Sequence, residues 1–83
     1  MKAYLIICPK EDTKEIAFLE CKWSEVSKKD ANQILSDLKR KAALVKWHNN
    51  KRREYYGIIA KSIKGKVELR TGGVLAYDLR DFR

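Results

Sequence analysis

The chain is poor in the residues that staple or punctuate a fold. Its 83 residues include two cysteines, one proline, four glycines and a single histidine. Cys8 and Cys21 are isolated, each within an apolar run, with no C-x-x-C spacing and no nearby histidine pair. That pattern predicts buried free thiols rather than a zinc site, and it leaves a bridge between neighbouring strands open. His48 lies among polar residues, where a solvated turn histidine is expected rather than a catalytic one. No apolar run approaches the ~18 residues of a membrane span. The run Ala3-Tyr4-Leu5-Ile6-Ile7-Cys8 meets Pro9 directly and is too short for a signal sequence with a cleavage site. With no targeting signal, a cytoplasmic location is expected, with no membrane partner. Internal repeats, linkers and low-complexity segments are also lacking, so 1–83 reads as one domain.

Acid is scarcer than base. Nineteen Lys and Arg face eleven Asp and Glu, a formal charge of +8. On so small a body this favours a polyanionic partner, nucleic acid first, over a merely solvated lysine-rich surface. The apolar share of 45% argues for a folded chain despite the charge.

Residues 2–8 are almost wholly apolar, as in a strand covered on both faces. A polar turn at 9–14 and a second apolar run at 15–23 predict an antiparallel hairpin. Ser27 with Asp30 fits a capping box. Beyond it Ala31, Ile34, Leu35, Leu38, Ala42 and Val45 recur at helical spacing, predicting a helix that ends near Trp47. Residues 54–61 read as a third strand, 62–73 as a loop or hairpin arm around Val67 and Leu69, and 74–79 as a last strand. The fold class is therefore α/β, a small mixed sheet in the order β-β-α-β-(loop)-β.

Alternation puts Ile16, Phe18, Glu20 and Lys22 on one face of the second strand and Ala17, Leu19, Cys21 and Trp23 on the other. Trp23 is expected to plug the sheet against the helix. Charge within an apolar strand needs a reason, because burying it unpaired is expensive. An E-x-K pair suits phosphodiester hydrolysis: Glu20 would hold Mg²⁺ while Lys22 positions or deprotonates the attacking water. The bland alternative is a Glu–Lys pair on a sheet surface. Downstream, Lys46-Trp47-His48-Asn49-Asn50-Lys51-Arg52-Arg53 interleaves base and aromatic. There Lys46, Lys51, Arg52 and Arg53 are candidates for phosphate contact, and Trp47 for core packing.

Four separated blocks carry a likeness: E-I-A-F-L-E-C-K-W-S, K-K-D-A-N-Q-I-L-S-D-L-K-R-K-A, W-H-N-N-K-R-R-E-Y-Y-G-I-I-A-K and G-V-L-A-Y-D-L-R-D-F. Together they resemble the C-terminal nuclease-like domain of archaeal ATPases, a branch of the PD-(D/E)XK phosphodiesterases. The resemblance implies a restriction-endonuclease-like core flanked by helices and a DNA-cleaving or DNA-binding ancestry. It makes Glu20 a metal ligand and Lys22 the catalytic lysine, with Mg²⁺ as cofactor if active. Departures matter too. The family's Asp on the preceding strand, within a pattern like E-I-D-I-V-A, falls on Leu5, and its first helix has no counterpart before Met1. A single carboxylate holds Mg²⁺ poorly, so the expectation is a degenerate, inactive site with no cofactor. Glu11, Asp12 and Asp78 are the other acids available for recruitment. The implied partners are nucleic acid, a second copy of the chain or an ATPase chain. The competing expectations are an active Mg²⁺-dependent endonuclease and a structural interaction module without nucleic-acid binding.

Overall fold

The computed structural model describes residues 3–82; Lys2, included in the first expected strand, lies outside them. The elements in chain order are β1 (Ala3–Lys10), β2 (Glu15–Val26), α1 (Lys28–Ala42), β3 (Arg53–Ile63), α2 (Lys66–Thr71), β4 (Leu75–Tyr77) and a 3₁₀ turn (Leu79–Phe82). They build a small mixed α/β fold around a four-stranded sheet in the spatial order β1-β2-β3-β4. β1 and β2 form an antiparallel hairpin, while β2, β3 and β4 run parallel.

The parallel strands advance across the sheet in one direction, so two crossovers of the same hand place α1 and α2 on one face. That face carries the core. Ile16 and Phe18 of β2, Ile58 and Ala60 of β3, and Ala76 of β4 are buried against Ala31, Ile34, Leu38 and Ala42 of α1, and Leu69 of α2 packs against the same cluster. The predicted apolar stripe of the helix is thus the one that packs, with Leu35 and Val45 at its margins.

α1 starts where the sequence says it should. Ser27 Oγ accepts from the Asp30 N–H at 3.1 Å, and the Asp30 carboxylate accepts from the Ser27 N–H at 3.2 Å. Those reciprocal bonds satisfy two otherwise unpaired donors, worth about 1 kcal/mol. The helix stops at Ala42, five residues short of Trp47. No glycine or proline ends it. Instead the Leu44 and Val45 N–H groups tighten onto Lys41 O and Ala42 O, and Arg52 takes up the carbonyls that follow.

Several expectations change. β1 is exposed along its whole length rather than covered on both faces. It is an edge strand, which also explains how Pro9 fits in it, since a missing N–H is tolerated on an edge. Cys8 is accordingly exposed and Cys21 half-buried, and both are free. Their cross-strand neighbours are Ala17 and Tyr4 respectively, which separates the two by four ladder positions, ~13 Å at strand rise. Trp23 does not plug the sheet against α1; it is 58% exposed. The segment 62–73 holds α2, not a hairpin arm. Gly65 enters it at φ +74°, a left-handed turn that suits glycine. Side chains then anchor it: Lys28 pairs with Glu68 at 3.0 Å, and Arg70 Nε donates to Ala76 O at 2.9 Å. The last strand is shorter than expected, ending at Tyr77.

Among the described residues, no helix is long and apolar enough to cross a membrane.

Candidate functional site

The antiparallel register of the hairpin sets Leu5 directly opposite Glu20, and the parallel register sets Ile58 on Glu20's other side. Glu20 points to the helix-bearing face, like Phe18 two residues earlier. Its side chain is only 12% exposed, and Lys41 of α1 brings Nζ to 3.7 Å from Oε1. Lys22 shares that face and is half-buried. Its ammonium helps hold the Asp30 carboxyl below the usual range, although the main cause there is the Ser27 backbone and hydroxyl.

Leu5, the position at which the resemblance predicts an Asp, is therefore next to Glu20 in space. The other acids are elsewhere. Glu11 sits in the hairpin turn, 2.7 Å from His48 Nε2 and 3.4 Å from Lys14 Nζ. Those two neighbours, the His48 hydrogen bond first, keep its carboxyl below the ordinary value. Asp78 follows β4, two strands from β2, roughly 10 Å across the sheet. Among the described residues, no three His, Cys, Asp or Glu groups gather in a way that could hold a metal ion. One carboxylate, two apolar neighbours and an adjacent ammonium do not fit a divalent cation, which takes several oxygen donors. No hydrolytic step through a metal follows from this arrangement.

Asp78 has structural work. It is almost fully buried and accepts from Lys66 Nζ at 3.0 Å, the Arg80 N–H at 3.0 Å and the Ile63 N–H at 3.4 Å. Burial alone would raise its pKa; the Lys66 and backbone donors outweigh that and hold it below the usual carboxylate range. Asp81 joins the cluster, accepting from the Asp78 N–H at 2.8 Å, Arg70 at 2.8 Å and Lys66 at 3.1 Å. This network ties β3, α2 and the C-terminal turn together. Spacing gave little sign of it beyond the D-L-R-D repeat of acid and base.

The four basic candidates part company. Arg52 does not face solvent: its side chain is 3% exposed, lies 5.5 Å from the Phe18 ring centroid and pairs with Glu54 at 2.6 Å. Its Nη1 and Nη2 donate to Val45 O at 2.7 Å and Ala42 O at 2.8 Å. It is the C-terminal cap of α1 and has no donor to spare for a phosphate, so its assignment to nucleic acid is withdrawn on geometry. Lys46 and Lys51 are exposed, as is Arg53, though Arg53 lies beside Tyr55 and Glu15. Because Arg52 folds the 43–52 loop back onto α1, Lys46 and Lys51 join Lys39, Arg40 and Lys41 of its last turn at one end of the molecule. Trp47 packs partly against the core, with His48 edge-on at 4.7 Å.

No family model matches the chain and no solved structure matches it. Among curated proteins it is similar to "Uncharacterized protein MJECL04" of Methanocaldococcus jannaschii, with 34% identity over 77 residues. That similarity covers 93% of this chain and 16% of the relative, so the chain spans about a sixth of the curated protein it matches.

Proposed function

We propose that this chain is a nuclease-like domain, with a restriction-endonuclease-like core, that binds nucleic acid without cleaving it. The observation that carries the reading is Leu5 opposite Glu20. The hairpin keeps one half of an acid pair and replaces the other by an apolar side chain. Lys22 and Lys41 then leave the site cationic, suited to a phosphate oxygen and unsuited to Mg²⁺. The basic end formed by Lys39, Arg40, Lys41, Lys46 and Lys51 meets the nucleic-acid backbone. Such binding is sequence-independent and salt-dependent.

Two assays test the reading. Supercoiled DNA incubated with Mg²⁺ or Mn²⁺ should remain uncut by the wild-type chain. Metal-dependent cutting lost in both Glu20→Ala and Lys22→Ala would establish an active endonuclease instead. Fluorescence anisotropy with labelled DNA should show binding that weakens with salt. Replacing Lys46 and Lys51 together by Ala should flatten the log–log salt slope by about 1 for each of the two ammonium groups that neutralises a phosphate. No binding at low salt defeats the proposal.

A further inference from the structure

Both helices lie on one face of the sheet, and among the described residues no layer covers the opposite face. Register identifies what it presents. Tyr4, Ile6 and Cys8 of β1 sit opposite Cys21, Leu19 and Ala17 of β2. These in turn neighbour Ile59, Gly57 and Tyr55 of β3, followed by Tyr77 and Leu75 of β4. The face is therefore apolar from edge to edge. Tyr4 and Trp23 are 59% and 58% exposed, and Ile6 and Tyr77 are exposed with them. At its centre Leu19 and Leu75 close over Gly57, where an added Cβ would meet Leu19 Cδ2 at 2.5 Å. The result is a continuous floor, with a shallow groove bordered by Tyr55, Leu75 and Tyr77. Parallel strands are rarely left bare on one side, because the crossover fold buries both faces. An apolar surface of this extent marks a docking site.

Charge selects the occupant. Among the described residues, the ionic groups bordering this face are Lys10, Arg53, Lys61 and Arg70, the last 5.4 Å from the Tyr77 ring. Against them stand Glu15, which already accepts from the Tyr55 hydroxyl at 2.7 Å, and Glu25, which faces away from the core-facing Val26. A second copy would set a basic rim against a basic rim and bring together two bodies of formal charge +8. Like charges across an interface cost affinity and suppress that pairing. Four strands span roughly 15 Å, enough for one helix of ~10–12 Å diameter. We infer that the open face docks an amphipathic helix of a partner protein, one whose apolar stripe lies on Leu19, Ile59 and Leu75 and whose flanks carry Glu or Asp. The inference is independent of nucleic-acid binding, which uses the opposite layer and the end of α1.

A displayed library of amphipathic helices tests it, with a fixed leucine stripe and flanks randomised between Glu and Lys, sorted against the full chain. Enriched clones should carry Glu flanks and lose at least tenfold in affinity toward Trp23→Lys and toward Tyr4→Lys. Both are exposed positions whose change should leave the melting temperature unaltered. The double variant Lys10→Glu with Lys61→Glu should reverse the flank preference, whereas changing Lys46 and Lys51 should leave helix binding untouched. Lack of enrichment, enrichment of Lys flanks, or clones indifferent to Trp23 and Tyr4 would overturn the inference. A dimer in sedimentation equilibrium that dissociates on Tyr4→Lys would also overturn it, in favour of a second copy.

Discussion

Arg52 closes the helix that Ala42 ends. The guanidinium reaches back ten positions to the Ala42 carbonyl at 2.8 Å while also serving Val45 and Trp47, and no glycine or proline shares the task. Removing it strands several carbonyls and leaves Glu54 with the Tyr56 hydroxyl but no cationic partner. Arg52→Ala should therefore destabilise the fold by about 2–4 kcal/mol, and Arg52→Lys by most of that, because an ammonium cannot reproduce the planar fork. Urea unfolding monitored by circular dichroism would check both. DNA affinity measured well below the unfolding midpoint should fall for Arg52→Ala, because the freed 43–52 loop no longer holds Lys46 and Lys51 beside the last turn of α1.

Gly57 is fixed by crowding rather than by its backbone angles. A Cβ there would approach Leu19 Cδ2 at 2.5 Å, Leu75 Cβ at 2.7 Å and the Leu75 carbonyl at 2.8 Å. The Leu19 tip can turn aside, but the Leu75 Cβ and carbonyl move only with the backbone of β4. Gly57→Ala should cost about 1–3 kcal/mol by overpacking. The loss should be largest in the amides of β4, read by hydrogen exchange.

Proton linkage should narrow stability at both pH extremes. Asp78 and Asp81 have folded pKa values below the ordinary 3.8. Their contribution is present above that value and is lost as pH falls through the folded pKa, so the acid limb lies below about pH 4. Asp78→Asn should lower the melting temperature at pH 7 and flatten this limb. Tyr56 behaves oppositely. Burial, and then its hydrogen bond to Glu54, push its pKa from 10.0 up to about 12. Its contribution is complete below pH 10 and drains away as pH rises toward 12. Tyr56→Phe should flatten that alkaline limb when thermal unfolding is compared with wild type across it.

Local signals were legible in the sequence and long-range ones were not. Ser27 and Asp30 are three residues apart, so their reciprocal cap could be read from spacing. Alternation along β2 placed Phe18 and Glu20 together because a strand has a strict period of two. Periodicity could not reveal that Ala3–Cys8 lies on an edge, since an apolar run looks alike at the rim and in the middle of a sheet. α2 has six residues, fewer than two turns, and it is held by one apolar contact, Leu69 on the core, together with ion pairs to α1 and the C-terminal turn, too little for an apolar stripe to show. In the candidate site, the short turn pinned Leu5 against Glu20. Arg52, by contrast, looked like one more base in a basic run. Only the fold of the 43–52 loop turns it inward.

The sheet's two rims are unequal, and this governs how copies can add to one another. β1 is eight residues long and presents the outward half of its backbone groups along its rim, whereas β4 is three residues long. Open-ended lengthening of a sheet needs a usable acceptor at both rims, and a three-residue rim provides few hydrogen bonds to the next chain. Any self-association through β1 therefore terminates after a single pairing, and the short last strand acts as a stop against fibre growth.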